Sequence, residues 1–241
     1  MIDIHTHIIP GIDDGAPTLQ QSIAMAREYQ KCGFNAVIAT PHIKEGRFNN
    51  TKERIFEETE NLNVDLACAG ISLDVYTGAE YFMDIRILQD CENNTIVTLG
   101  NSGYVLIELP RYNLPKYTNT IVTFLLKNGF IPVIAHPERC GHIQEHGYHE
   151  LFQFLNEGCK IQIDIPSLLG SNGKRAMKTG WSILKEGMAE TISFDAHTPD
   201  QFKNILEQLE SMISEPRKGF FRQLFDVDQA FINTGGLELK K

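Results

Sequence analysis

Short runs of apolar residues alternate along this chain with longer stretches whose apolar positions recur every three to four residues. The short runs, at residues 2–8, 35–40, 73–79, 104–109, 131–135, 160–165 and 191–194, read as strands. The longer stretches, at residues 18–31, 51–66, 84–92, 118–128, 148–157, 174–186 and 200–213, read as amphipathic helices. Several helices close on the expected punctuation, as in Lys31-Cys32-Gly33, Lys127-Asn128-Gly129 and Asn156-Glu157-Gly158. A glycine there lets the chain turn through a left-handed conformation before the next strand. Seven repeats of strand then helix imply parallel pairing with right-handed crossovers. Such a series closes as a barrel or opens as a doubly wound sheet. No linker rich in Pro, Gly or Ser, no low-complexity run and no repeat interrupts it, so residues 1–241 read as a single domain. The tail from Pro216 reads as one or two short helices and a frayed end, while Trp181 and the Phe220-Phe221 pair read as core or interface packing.

Composition narrows the partners. Hydrophobic residues make up 42% and charged residues 22%, ordinary for a globular protein. The net charge of -9 argues against a nucleic-acid partner, which selects for basic faces. It leaves a phosphorylated substrate open, because a few arginines and metal ions can reverse the field inside one pocket. The five cysteines, Cys32, Cys68, Cys91, Cys140 and Cys159, form no C-x-x-C pair and are odd in number. They read as reduced thiols rather than a disulfide framework. None is followed six positions later by Arg, the spacing of a phosphate-cradling cysteine nucleophile. Met1 runs straight into a strand with no leader, and no apolar run reaches the ~18 residues of a membrane span. A cytoplasmic location without membrane insertion is the expectation.

The chemistry appears when histidines and acids are laid over the strands. His5 and His7 share one face of the first strand, since alternate residues point the same way. His42 follows the second strand, Glu80 the third, Glu108 ends the fourth and His136 the fifth, while Asp195 and His197 close the seventh. Asp14 lies in the loop after the first strand, and only the sixth strand lacks an obvious ligand, though Asp164 is near its end. In α/β folds the carboxyl ends of strands converge on one mouth. Nine imidazoles and carboxylates aimed there are too many for a lone acid and base, and a donor set without thiolate suits two or three Zn, Mn or Fe ions. Arg139, three residues after His136, either reaches the mouth to clamp phosphate oxygens bidentately or is a helix-start arginine paired with a nearby Glu. Arg47 and Arg111 either meet the substrate or are solvated surface charge; His142, His146 and His149 read as loop and helix surface.

This set resembles the PHP (polymerase and histidinol phosphatase) superfamily, and more narrowly the manganese-dependent protein-tyrosine phosphatases of bacterial capsule and exopolysaccharide loci, the CpsB/CapC group. The resemblance runs through Asp3-Ile4-His5-Thr6-His7, Ile12-Asp13-Asp14-Gly15, Thr40-Pro41-His42, Gly78-Ala79-Glu80, Glu108-Leu109-Pro110, His136-Pro137-Glu138-Arg139 and Asp195-Ala196-His197. It implies a distorted seven-stranded, TIM-like β/α barrel. It also implies that His5, His7, Glu80 and Asp195 hold one metal, that Glu80 bridges to a second completed by Glu108 and His136, and that Asp14, His42 and His197 hold a third. Two or three divalent ions, Mn before Fe or Zn, are the implied cofactors. Arg139 matches the substrate-phosphate arginine. The group carries another arginine past its Asp-x-His motif; here the stretch reads Thr198-Pro199-Asp200-Gln201-Phe202-Lys203, leaving Lys203 as the substitute, a point charge without the bidentate fork.

The implied activity is hydrolysis of a phosphate monoester, phosphotyrosine on a protein, with no covalent enzyme intermediate. Asp14, or a water near it, is the expected proton donor to the leaving phenolate. The implied partner is a bacterial tyrosine autokinase of polysaccharide export. Rival readings are histidinol phosphatase or another small-molecule phosphatase on this fold, a metal-dependent nuclease, and a catalytically silent scaffold. The acidic net charge disfavours the nuclease, and the full set of nine ligands disfavours the scaffold.

Overall fold

The computed structural model describes residues 1–212; the readings made for Ile213, for the tail from Pro216 and for Phe220-Phe221 lie outside them. The chain opens with β1 (Ile2–Thr6) and α1 (Leu19–Lys31). There follow β2 (Ala36–Ala39), the short pair β3 (His42–Lys44) and β4 (Phe48–Asn49), and α2 (Lys52–Cys68). β5 (Asp74–Thr77) and β6 (Glu80–Phe82) lead to α3 (Arg86–Glu92), β7 (Tyr104–Glu108) and α4 (Thr118–Lys127). Next come β8 (Ile131–Ala135), α5 (Gly141–His146), α6 (His149–Glu157) and β9 (Lys160–Asp164). α7 (Ile165–Leu169), α8 (Lys174–Lys185), β10 (Thr191–Ser193) and α9 (Pro199–Met212) complete the order.

Local chemistry sets several boundaries. The Thr18 and Thr51 hydroxyls accept from the Gln21 and Arg54 N–H groups at 3.4 and 3.3 Å, capping α1 and α2. Gly158 ends α6 at φ 103°, a left-handed turn a side chain would resist. Trp181 packs partly buried against the core and donates to the Leu168 carbonyl at 3.0 Å.

The strand pairing corrects the expectation of one closed seven-stranded barrel. Hydrogen-bonded ladders divide into a three-stranded sheet, β1-β2-β5, and a seven-stranded sheet, β10-β9-β8-β7-β6-β3-β4. All pairs are parallel apart from the β3–β4 hairpin. The division falls just past two expected strands, each followed after a short break by a strand, β3 or β6, that was not expected and joins the other sheet. Pro41, which has no N–H to give a ladder, separates β2 from β3. Gly78-Ala79 separates β5 from β6, and a Cβ on Gly78 would come within 2.7 Å of Ile38. At the other edge the sheets meet through an isolated Thr6–Ala196 bridge, with His7 N donating to Ala196 O at 2.9 Å and Asp195 N to His5 O at 3.1 Å.

The sheets share an apolar interior. Ile4 and Ile38 of the small sheet pack with Leu106, Val133 and Ala135 of the large one. The larger cluster fills the space between strands and helices, including the Tyr29, Phe34, Phe194 and Phe202 rings. Each such aliphatic or aromatic side chain contributes about 1.5–3 kcal/mol by leaving water. This scaffold holds the carboxyl ends of β1, β7, β8 and β10 against the two displaced segments β3 and β6.

Candidate metal centre

His5 and His7 project from β1 and its continuation, and their Nε2 atoms lie 3.4 Å apart. Asp195 Oδ1 sits 3.2 Å from the first and 3.1 Å from the second. Glu80, the first residue of β6, is held in register with His42 on β3. Its Oε1 lies 2.9 Å from His136 Nε2, while its Oε2 lies 3.5 Å from both His5 and His7 Nε2 and 2.8 Å from His42 Nδ1. Glu108 ends β7 and faces the same cluster. At the mouth, Asp14 Oδ1 approaches His42 Nε2 at 3.4 Å and His197 Nε2 at 3.8 Å. Exposure rises from 0% at the His5 side chain to 39% at Asp14, so the centre has a dry floor and an open rim.

The ligand atoms fall into overlapping groups, each within 4.8 Å: His5, His7 and Glu80; His42, Glu80 and Glu108; His7, Asp14, His42 and His197; and His5, His136 and Asp164. Five imidazoles and four carboxylates of the expected set are thus drawn together. Buried Glu80 Oε2, Asp195 Oδ1 and His42 Nδ1 make no aligned hydrogen bond despite neighbours near 3 Å. Buried polar atoms ordinarily find partners. Lone pairs that converge without such alignment, on a donor set of imidazole and carboxylate, fit divalent cations held between them. The backbone is also strained here. His136 and Asp195, neither a glycine, sit at φ 31° and 46°, and such strain gathers at functional sites.

Charges in this centre move one another. Burial pushes the Glu80 and Asp195 carboxyls up, but the surrounding imidazoles more than reverse this and hold both well below the usual carboxylate range. Burial pushes the His5, His7 and His136 rings down, yet neighbouring carboxylates leave all three raised, His136 at about 10. Burial, followed by the Glu80 charge, raises Glu108. His197 is lowered by burial and by His7.

Sequence reasoning passed over the residues that orient these ligands. Asp13 accepts from His7 Nδ1 at 2.7 Å, from His42 N at 3.0 Å and from Gly15 N at 2.9 Å. Gln162 Oε1 lies 3.1 Å from His5 Nδ1, while its amide donates to Asp164 at 3.1 Å. These are the outer-shell partners that fix an imidazole ring and its tautomer. The doubled acid of Asp13-Asp14-Gly15 was their one visible signal.

The expected substrate residues fare differently. Arg139 stands beside the centre, its Nη1 donating to Asp164 Oδ2 at 2.9 Å and Asp195 Oδ2 at 2.6 Å. Arg47 pairs with Asp14 at 3.1 Å on the rim. Lys203 is exposed on α9 and takes no part in the contacts above. His142 bonds Glu150 at 2.8 Å and stacks on His146, away from the centre. A cleft of roughly 720 Å³ opens from Glu108, His136 and Arg139.

The sequence model of the CpsB/CapC family, described as capsular polysaccharide synthesis, matches residues 1–220. The tyrosine-protein phosphatase YwqE of Bacillus subtilis (strain 168) is 35% identical over 197 residues, 82% of this chain and 77% of that protein. The tyrosine-protein phosphatase CpsB of Streptococcus pneumoniae is 27% identical over 220 residues, 89% of this chain and 90% of that protein. Among solved structures, a chain from the crystal structures of YwqE from Bacillus subtilis and CpsB from Streptococcus pneumoniae, described as unique metal-dependent tyrosine phosphatases, superposes with a TM-score of 0.85. It is 31% identical, with 96% of this chain and 94% of that chain covered. A histidinol phosphate phosphatase from Lactococcus lactis, solved with zinc, histidinol and phosphate, superposes with a TM-score of 0.53 at 12% identity, with 96% of this chain and 94% of that chain covered; the likeness is one of fold alone.

Proposed function

The chain belongs to the CpsB/CapC family of capsular polysaccharide synthesis, and from that premise we propose that it is a metal-dependent phosphatase hydrolysing phosphotyrosine on a protein. The observation that carries this reading is the convergence of nine imidazoles and carboxylates on a centre whose buried Glu80 Oε2 and Asp195 Oδ1 lack aligned hydrogen bonds. His5, His7, Glu80 and Asp195 would hold one ion, Glu80, Glu108 and His136 a second, and Asp14, His42 and His197 a third. Mn, Fe and Zn all suit these donors. When bound, such ions supply Lewis acidity that activates water and withdraws charge from phosphoryl oxygens.

The chain's own residues do the rest. The Arg139 guanidinium, anchored through Nη1 and lining the cleft, is assigned to balance charge on the equatorial oxygens of phosphate. Arg47, paired with Asp14 on the rim, is assigned a weaker substrate contact, and Lys203 on α9 one from outside the rim. Proton transfer to the leaving phenolate is assigned to Asp14, the most exposed acid of the set, or to a water near it. The dry floor formed by His5, His7 and Glu80 keeps bulk water from screening these charges. We read residues 1–241 as one domain, its two sheets as a barrel opened at Pro41 and Gly78, and its location as cytoplasmic. The phosphotyrosine-bearing partner is assigned as a bacterial tyrosine kinase of capsule or exopolysaccharide synthesis.

The test is phosphate release from a phosphotyrosine peptide by Mn-loaded enzyme, by EDTA-treated enzyme and by His136→Ala. Release that needs metal and collapses in the variant supports the assignment. Full activity after thorough chelation sinks the metal mechanism, and turnover of histidinol phosphate but not the peptide moves the substrate to a small molecule.

A further inference from the structure

The cleft beside the centre is cationic on a chain whose net charge is -9. Its lining carries Arg111, Arg139, Lys174 and Arg175 against two carboxylates, Glu108 and Glu145. Arg139 is already engaged by Asp164 and Asp195, and Glu108 belongs to the candidate ligand set. That leaves Arg111, Lys174 and Arg175, all exposed, facing Glu145 alone. The Arg175–Glu145 pair is 3.4 Å long with both ends open to solvent, so it holds neither side chain firmly.

Helix stability does not explain these cations. Lys174 and Arg175 open α8, whose first turn holds no acidic residue. The helix dipole favours anions at that end and disfavours lysine and arginine. Tyr112, beside Arg111 on the cleft wall, is 75% exposed, leaving a flat ring face at the entrance. Cations and an exposed aromatic, continuous with a phosphate-directed centre, form a surface for a chain that carries negative charge next to its phosphotyrosine.

We propose that Arg111, Lys174 and Arg175 form a docking subsite for a second anionic group on the substrate peptide, outside the phosphate that is hydrolysed. That group is the carboxylate of an Asp or Glu flanking the phosphotyrosine. This rests on the phosphatase reading above and adds the substrate's flank to it. The three cations act on capture, raising kcat/KM through KM, and their long range makes the effect sensitive to salt.

The experiment uses full-length, Mn-loaded enzyme and three phosphotyrosine peptides, with neutral flanks, with acidic flanks, and with a second phosphotyrosine. The acidic-flanked peptide should exceed the neutral one in kcat/KM by roughly tenfold at low ionic strength. That ratio should fall towards one with added salt, and likewise in an Arg111→Gln, Lys174→Gln, Arg175→Gln variant. The salt series on the unmodified enzyme stands even should the triple variant fold poorly, and Lys174→Gln alone provides a milder step. A gain confined to the doubly phosphorylated peptide overturns the carboxylate assignment. Equal turnover of all three peptides overturns the subsite while leaving the phosphatase intact, as does a preference that survives in the triple variant. Failure to hydrolyse any of them overturns both.

Discussion

Removing the Asp13 carboxylate tests whether the centre is held together from behind its ligands. Asp13 is buried and accepts three hydrogen bonds, at 2.7 Å from His7 Nδ1, 3.0 Å from His42 N and 2.9 Å from Gly15 N. It therefore links one ligand's ring, a second ligand's backbone and the turn that follows Asp14. Burial pushes its carboxyl up, but the His7 ring and the three donors outweigh that and hold it at about 2. Asp13→Ala leaves three donors without an acceptor. Loss of a partner of this kind typically lowers metal affinity about 10- to 100-fold, or about 1.4–2.7 kcal/mol. Asp13→Asn keeps the shape and one good acceptor, so it should fall between wild type and Asp13→Ala. The assay is calorimetric titration of Mn²⁺ into metal-stripped protein, beside thermal melts of each metal-free form. An Asp13→Ala protein that folds and binds Mn²⁺ as tightly as wild type, with the same stoichiometry, would refute the reasoning.

Three more outcomes follow from the same geometry. His5, His7 and His136 are raised above the ordinary value of 6.5, His136 to about 10, and must lose protons to offer lone pairs to a metal. Metal affinity should therefore rise with pH and binding should release protons; calorimetry in buffers of different ionisation enthalpy that shows no release contradicts this. In the metal-free protein the His136 proton stabilises the fold fully below about pH 6.5, and that contribution is lost as pH climbs towards 10. Gly15→Ala would set a Cβ 2.2 Å from the His7 carbonyl oxygen and 2.4 Å from its Cβ, so it should cost about 3 kcal/mol or more and disturb the centre. An unchanged melting temperature argues against that packing. Finally, Cys68 is exposed while Cys91, Cys140 and Cys159 are buried, and burial pushes the Cys159 thiol up to about 12. Alkylation of native protein at mildly alkaline pH, read by mass spectrometry, should mark Cys68 and spare those three; early labelling of Cys159 would show the region to be open.

Much of the candidate site was legible because ligand-type side chains announce themselves by residue type. Imidazoles and carboxylates at the ends of apolar runs stand out, and His5-Thr6-His7 displays its shared face through the two-residue period of a strand. The expected helices at 18–31 and 51–66 begin at Thr18 and Thr51, whose hydroxyls cap them in the structure. The rest has no such local mark. β3 and β6 are only three residues long, too brief for a period to show, yet they carry His42 and Glu80. Lys174 and Arg175 open a stretch that reads only as an amphipathic helix, and folding alone brings them beside Arg111, more than 60 positions away in sequence.

By itself, then, the sequence determined the alternation of strands and helices, the ends at which chemistry gathers and the donor types of the centre. These depend on residues within a turn or two of each other, where period and capping act. Only the tertiary structure decided that the strands divide into two sheets at Pro41 and Gly78, that Asp13 and Gln162 orient the ligands, and that Arg139 is tied to Asp164 and Asp195. Those outcomes depend on pairing between distant segments, where a missing N–H, a hydrogen bond or a buried charge acts across space and leaves no local pattern in the chain.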